Sequence, residues 1–248
     1  MDRKIRVGAV SYLNTKPLVW GFEQGMMSEE IDLVFDYPAN LSKMLGCGEL
    51  DIALLPVASI AEIKIATIIS DYCIGASSAV ASVCLFSDVP LNEIKEILLD
   101  YQSKSSVALL KVLLKKHWKK DIPLISASAG YEMKIEQATA GLVIGDRAFE
   151  LRGKYRYVYD LAETWIEWSK LPFVFAAWVS NRQLPADFLK SFNAAVAEGL
   201  THLEEIVAKE NYKHYNLKQY YTQNIDYILD DAKRAGMKKF LELAEAER

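Results

Sequence analysis

Apolar positions fall in short runs separated by polar turns, and their spacing alternates between strand-like and helical along the chain. Ile5 to Val10 is a near-continuous apolar run, the pattern of a strand buried on both faces. Polar Ser11, Tyr12 and Asn14 follow it. Asn14-Thr15-Lys16-Pro17 then reads as a helix start, because small polar residues cap orphan N–H groups and proline is tolerated in the first turn. IDLVFD (31–36) predicts a second strand, and Asn40 should cap a helix closed by Gly46 and Gly48. DIALL (51–55) is a third strand, Val57 to Ile63 a short helix and Ile65 to Ile69 a further strand. This β-α-β-α-β rhythm predicts an α/β protein with a parallel, doubly wound sheet.

Beyond it the pattern starts afresh. The apolar run AVASVCLFS (79–87) leads into strands at Glu96–Leu99, Leu124–Ser126, GLVIGD (141–146) and Arg156–Tyr159. Helices are expected at Ser103–Trp118 and Tyr131–Ala138. A second long apolar run, LPFVFAAWVSN (171–181), mirrors the first. Helical spacing then dominates, through Pro185–Glu210, Leu217–Thr222 and Tyr227–Glu245. The two long runs read as paired crossover strands between two lobes. Lobe one would comprise residues 1–83 with 178–248, and lobe two residues 84–177.

Composition narrows the function classes. Hydrophobic residues make up 51% of 248, enough for large cores, and 29 basic against 33 acidic residues leave a net charge of −4 with no basic stripe. Nucleic-acid binding is therefore not expected. No apolar run approaches the ~18 residues of a membrane span, so no membrane partner is expected either. MDRKIRV lacks an apolar signal-peptide segment behind it, and Cys47, Cys73 and Cys84 form no CxxC pattern. Reduced thiols in a cytoplasmic protein, monomer or homodimer, are the expectation. His117, His202 and His214 pair with no Cys or Asp at ligand spacing, so no metal is expected. Without GxGxxG, Walker A or GxSxG, no nucleotide cofactor is expected, and none of another kind is implied.

What remains is a recurrence of hydroxyl residues where strands run into helices. Ser11-Tyr12-Leu13-Asn14-Thr15 is the first instance and Ser103-Lys104-Ser105-Ser106 the second, with Ser77, Ser78 and Ser82 near the first crossover. Each can be an ordinary N-cap. Each can also hold a carboxylate, since helix N–H groups and the dipole both face the anion. Asp146 in VIGDRAF is either a cap for its own helix or a carboxylate at the sheet's carboxyl edge, facing a cleft. Trp165, Trp168, Phe173, Phe175 and Trp178 are mostly core, with one or two available to wall a pocket for a planar ring.

VGAVSYLNTKPL, GELDIALLP, ASVCLFS, LDYQSKSSVALLKVLL, LVIGDRAF and DLAETWIEWSKLPFVFAAW occur in an order and spacing that resemble the chorismate dehydratases of the menaquinone pathway, from residue 7 to residue 178. That resemblance implies a two-lobed, periplasmic-binding-protein-like (type II) fold. It also implies chorismate as substrate, dehydrated to 3-[(1-carboxyvinyl)oxy]benzoate on the futalosine route. By motif, Asn14 and Ser82 fall on substrate-site positions and would carry the catalysis. Ser11, Tyr12, Ser103, Ser105, Ser106 and Asp146 are the expected substrate contacts. Cys84 and Phe86 are departures within the ASVCLFS block. The proton acceptor would be the substrate's own enolpyruvyl carboxylate or, alternatively, Asp146. A small-carboxylate binding protein of the same fold, or the sister enzyme that makes 1,4-dihydroxy-6-naphthoate, are the competing readings.

Overall fold

A computed structural model describes residues 3–247. The first lobe starts with β1 (Ile5–Ala9), a 3₁₀ turn (Leu13–Thr15), α1 (Lys16–Glu23), β2 (Ile31–Phe35) and α2 (Pro38–Gly46). It continues through β3 (Ile52–Pro56), a single turn α3 (Val57–Ile60) and the long β4 (Thr67–Ala76). The second lobe holds β5 (Val83–Ser87), β6 (Glu96–Leu99), α4 (Lys104–Val112) with a π-helical turn after it, β7 (Leu124–Ser126), β8 (Thr139–Ile144), α5 (Asp146–Leu151), β9 (Tyr157–Asp160) and α6 (Leu161–Ser169). The chain then returns to the first lobe as β10 (Phe173–Ser180), α7 (Ala186–Thr201), α8 (Leu203–Glu210), α9 (Leu217–Gln219) with a π-helical turn, β11 (Asp226–Ile228) and α10 (Asp231–Glu245).

Two mixed sheets result, ordered β2-β1-β3-β10-β4-β11 and β7-β6-β8-β5-β9. The expected parallel set β2-β1-β3 is present, but β10 lies antiparallel between β3 and β4. The expected return at residue 178 falls inside β10, every paired residue of which, from Phe173 onward, bonds within the first sheet. Residues 77–82 and 170–172 connect the parts of the chain that build the two sheets, and the apolar run 171–181 lies mostly within the first of them. An apolar run buried on both faces carries no mark of which sheet it joins.

Local departures from expectation have local causes. Asn40 does not cap α2, whose first turn has no side-chain cap; Asp36 Oδ1 instead accepts from Tyr37 N at 2.6 Å and from Asn40 Nδ2 at 2.9 Å, just ahead of the helix. The single helix expected over 185–210 breaks at His202, where its ring bonds Glu198 O at 2.9 Å, beside Thr201 Oγ1 donating to the same carbonyl. Side chains that occupy a carbonyl this way compete with the helix ladder. The expected helix over 131–138 shrinks to a 3₁₀ turn, Tyr131–Lys134. Tyr227, read as helical, belongs to the three-residue β11, too short to show a period. Asp230 then caps α10 by accepting from Lys233 N at 2.8 Å.

Helices α1 and α7 cross where each has a glycine. A Cβ on Gly199 would lie 1.9 Å from Pro17 O, and one on Gly21 would lie 2.2 Å from Ala195 O. This contact seats α1, and with it the polar turn that precedes it, against the first lobe. Phe192, Trp178 and Phe22 pack edge to face beside it. Among the described residues no helix is long and apolar enough to cross a membrane.

Candidate functional site

A cavity of about 60 Å³ lies between the lobes. Its polar lining consists of Tyr12 and Asn14 from the first lobe, Ser82 from the first crossing, and Ser103 and Ser106 from the start of α4. Phe175 and Val10 supply apolar wall, and Gly145 closes the end of β8. Five of the expected site residues thus meet around one space. Phe175 is the one member of the expected aromatic group that reaches it.

Three others stand elsewhere. Ser11 is exposed and faces an outer groove with Phe35, Asp36 and Tyr37, because the residues either side of it turn inward. Ser105 is fully buried and accepts from Ala58 N at 3.0 Å, a bond from α4 to α3 across the lobes. One residue along a helix is a rotation of about 100°, so Ser105 cannot share the face of Ser103 and Ser106 in full. Asp146 neither caps its own helix nor lines the cavity. Its Oδ1 and Oδ2 lie 3.3 and 3.4 Å from Leu13 N, so the helix start of lobe one is capped by a carboxylate of lobe two. The expectation that Asn14 or Thr15 would cap that start is corrected accordingly, for neither side chain bonds a backbone N–H there.

Ser82 is held by an unusual stretch of backbone. Ala81, just before it, has φ of 64°, a left-handed conformation that costs a non-glycine residue about 1 kcal/mol or more. Asp160 compensates: its carboxylate accepts from Ala81 N at 2.7 Å and Val80 N at 3.2 Å while capping α6 through Ala162 N and Glu163 N. Ser82 O in turn accepts from Gly145 N at 2.8 Å. The serine is 1% exposed, and its backbone is fixed on both sides.

At α4 the helix start faces the cavity. Ser103 Oγ accepts from Ser106 N at 3.2 Å and lies 2.9 Å from Ser106 Oγ, so the two hydroxyls share one proton network at the dipole's positive end. Tyr12 OH donates to Gln102 Oε1 at 2.8 Å across the lobes, and Gln102 Oε1 also accepts from Arg147 at 2.9 Å. Arg147 is anchored by Asp100 at 2.6 Å and by Glu132, and is covered by the ring of Tyr101.

Sequence reasoning missed the tyrosines of the C-terminal segment. Tyr220 OH donates to Ser82 Oγ at 2.8 Å, and Tyr227 OH donates to Asn14 O at 3.1 Å. Tyr212 OH donates to Asp146 O at 3.0 Å, and Tyr215 stacks on Phe149 at 4.4 Å. The available signal was density: five tyrosines between residues 212 and 227 in a polar stretch. Buried tyrosines need partners for their hydroxyls, and Tyr220 and Tyr227 find theirs on Ser82 and Asn14.

Burial pushes the Asp146 carboxyl up from 3.8 to about 6; the Leu13 N–H and Lys16 pull it down, while Glu210 and Glu150 add to the rise. An acid with a raised folded-state pKa holds more protons folded than unfolded, so its contribution to stability falls as pH climbs from 3.8 to about 6. Burial raises Asp100 and Asp160 as well, with the same sign. Thermal melts across that interval should therefore show Asp146→Asn gaining melting temperature relative to wild type as pH rises. Identical slopes in the two proteins would refute the assignment.

A family model described as menaquinone biosynthesis matches residues 5–246. The chain is 29% identical to a chorismate dehydratase of Thermus thermophilus, over 95% of this chain and 93% of that protein. Among solved structures it is similar to an Archaeoglobus fulgidus protein, at a TM-score of 0.77 and 16% identity, covering 98% of this chain and 97% of that one. It is also similar to the periplasmic aliphatic sulphonate binding protein of Escherichia coli, at a TM-score of 0.67 and 13% identity, covering 99% and 93%. At such identities the solved structures show the fold, which is periplasmic-binding-protein-like. With two sheets facing one cavity and a family match across nearly its whole length, the chain belongs to the menaquinone biosynthesis family.

Proposed function

We propose that the chain dehydrates chorismate to 3-[(1-carboxyvinyl)oxy]benzoate. The observation that carries this is the convergence of Asn14, Ser82, Ser103 and Ser106 on one cavity, from both lobes and the crossing between them. Amide, hydroxyl and helix N-terminus donors suit a ligand with two carboxylates, and charge-assisted bonds of this kind are worth roughly 1.5–3 kcal/mol each. The likeness to the Thermus thermophilus enzyme supports the same substrate.

In this reaction the ring carbon bearing the ether loses its hydrogen and the neighbouring carbon loses its hydroxyl. The departing proton is activated through the ring double bond conjugated with the carboxylate, and aromatisation drives the step. Negative charge therefore builds on a carboxylate, where donors already in place stabilise it. The substrate's side-chain carboxylate serves as proton acceptor. Asp146 is less suited to that role, since its oxygens are turned to Leu13 N outside the cavity lining. Asn14 holds the accepting carboxylate or the leaving hydroxyl, and Ser82 binds a carboxylate.

A benzene ring alone occupies an engineered cavity of about 150 Å³. The space here is about 60 Å³, so substrate enters with the lobes further apart than they stand in this structure. The cytoplasm is the compartment we assign, with the thiols of Cys47, Cys73 and Cys84 free. The decisive experiment is incubation of the purified protein with chorismate, followed by ultraviolet spectra and product chromatography. Loss of the diene absorbance with appearance of an aromatic ether is expected. Tight binding with an unchanged ligand would instead establish a binding protein and overturn the proposal.

A further inference from the structure

Tyr220 lies on the π-helical turn Tyr220–Asn224, far from every residue that the sequence marks as polar and site-forming. It is nonetheless fully buried, and its phenol reaches Ser82, one of the two residues on which the proposed reaction depends. The phenol donates its proton to Ser82 Oγ at 2.8 Å. Asn14, on the rim of the same cavity, accepts from Thr15 Oγ1 at 3.3 Å through its Oδ1.

A serine hydroxyl has one proton to give and two lone pairs. Once Ser82 Oγ accepts from Tyr220, its own proton must go to another acceptor. Its backbone carbonyl is already engaged by Gly145 N at 2.8 Å, and the hydroxyl borders the cavity. Burial keeps the Tyr220 phenol above its ordinary range, so it remains a proton donor at any pH the protein meets. Phe149 packs edge-on against its ring at 4.8 Å and Tyr221 at 5.7 Å, which prevents the ring from swinging away.

We propose that Tyr220 is a positioning residue for the site: its phenol, fixed by the rings around it and bonded to Ser82 Oγ, commits the Ser82 hydroxyl proton to the cavity, where it meets a substrate carboxylate. Chains of hydrogen bonds in a dry interior reinforce one another, so the serine is also a stronger donor than it would be alone. The inference deepens the chorismate reading and rests on it. Tyr220 touches no substrate atom in this scheme, and it acts through Ser82.

The test is steady-state kinetics of Tyr220→Phe with chorismate, alongside wild type and Tyr215→Phe. The Tyr215 hydroxyl belongs to the same segment but bonds Asn224 Oδ1 at 3.1 Å, so its loss controls for a phenol that merely stabilises the segment. Tyr220→Phe should lower kcat about tenfold or more, with KM changed less than about threefold, because the ring carboxylate gains charge only on the way to the transition state. Tyr215→Phe should keep kcat within about twofold. Added to Ser82→Ala, Tyr220→Phe should cost less than about threefold more, as expected when one residue acts through the other. A Tyr220→Phe kcat lowered by less than threefold, or a full independent loss in the double variant, overturns the proposal. If Tyr220→Phe alone fails to fold, the double variant leaves no stranded acceptor, and its comparison with Ser82→Ala decides. Wild-type protein that leaves chorismate unchanged would indict the functional reading instead, which keeps the two failures apart.

Discussion

Asn14→Ala should lower kcat on chorismate by about 10²–10³-fold, the loss seen when one preorganised donor is removed from a developing anion. The substitution deletes the amide on the cavity rim and leaves most of the turn intact. The Leu13 N–H keeps its carboxylate partner, and Asn14 O keeps the Tyr227 hydroxyl, because both bonds are made by backbone atoms. Stability should therefore change little, with the melting temperature within a few degrees of wild type, since the side chain is only half buried. Steady-state rates and a thermal melt on the same preparation separate the two effects. An alanine variant within threefold of wild type would remove Asn14 from the chemistry.

The second large effect is expected far from the cavity. Gly199→Ala should destabilise the protein by about 3 kcal/mol or more, at the upper end of what overpacking costs. The methyl group would sit 1.9 Å from Pro17 O and 2.7 Å from Trp20 Cβ, and backbone atoms on a helix cannot step aside singly. For a chain of this size each kcal/mol lowers the melting temperature by roughly 2–4 °C, so a drop of roughly 6–12 °C is expected. Helix α1 has to retreat from α7, and the turn bearing Tyr12 and Asn14 is continuous with it. Activity should consequently fall even at temperatures where the variant is fully folded. A melting temperature within 2 °C of wild type would show that the crossing relaxes freely.

The sheets of both lobes were legible because buried strands such as Ile52–Pro56 and Val83–Ser87 are apolar runs cut off by turns. The placement of Phe173–Ser180 was not, since a strand between β3 and β4 looks the same as one crossing between lobes. The break at His202 arises from a ring bonded to the carbonyl four residues earlier, which no helical period reveals. At the site, Tyr12, Asn14, Ser82, Ser103 and Ser106 were legible as polar residues beside strand ends and helix starts. Ser11 and Ser105 share that local signature but point elsewhere, because one residue of offset reverses a strand face or turns a helix face. Tyr220 was illegible for another reason: its partner Ser82 lies 138 positions away, and only the closed chain brings them together.

The carboxylate of Asp146 makes the two lobes answerable to each other. When the lobes part, Leu13 N–H loses its partner, and an absent cap costs a helix about 1 kcal/mol, a factor of roughly five in the ratio of open to closed molecules. Closing, however, dries a carboxylate, and that opposes the cap. Other bonds share the load, from Ala58 N to Ser105 Oγ and from Tyr12 OH to Gln102 Oε1, so a ligand that touches both lobes adds its preference for the closed form to a set of contacts already built for it.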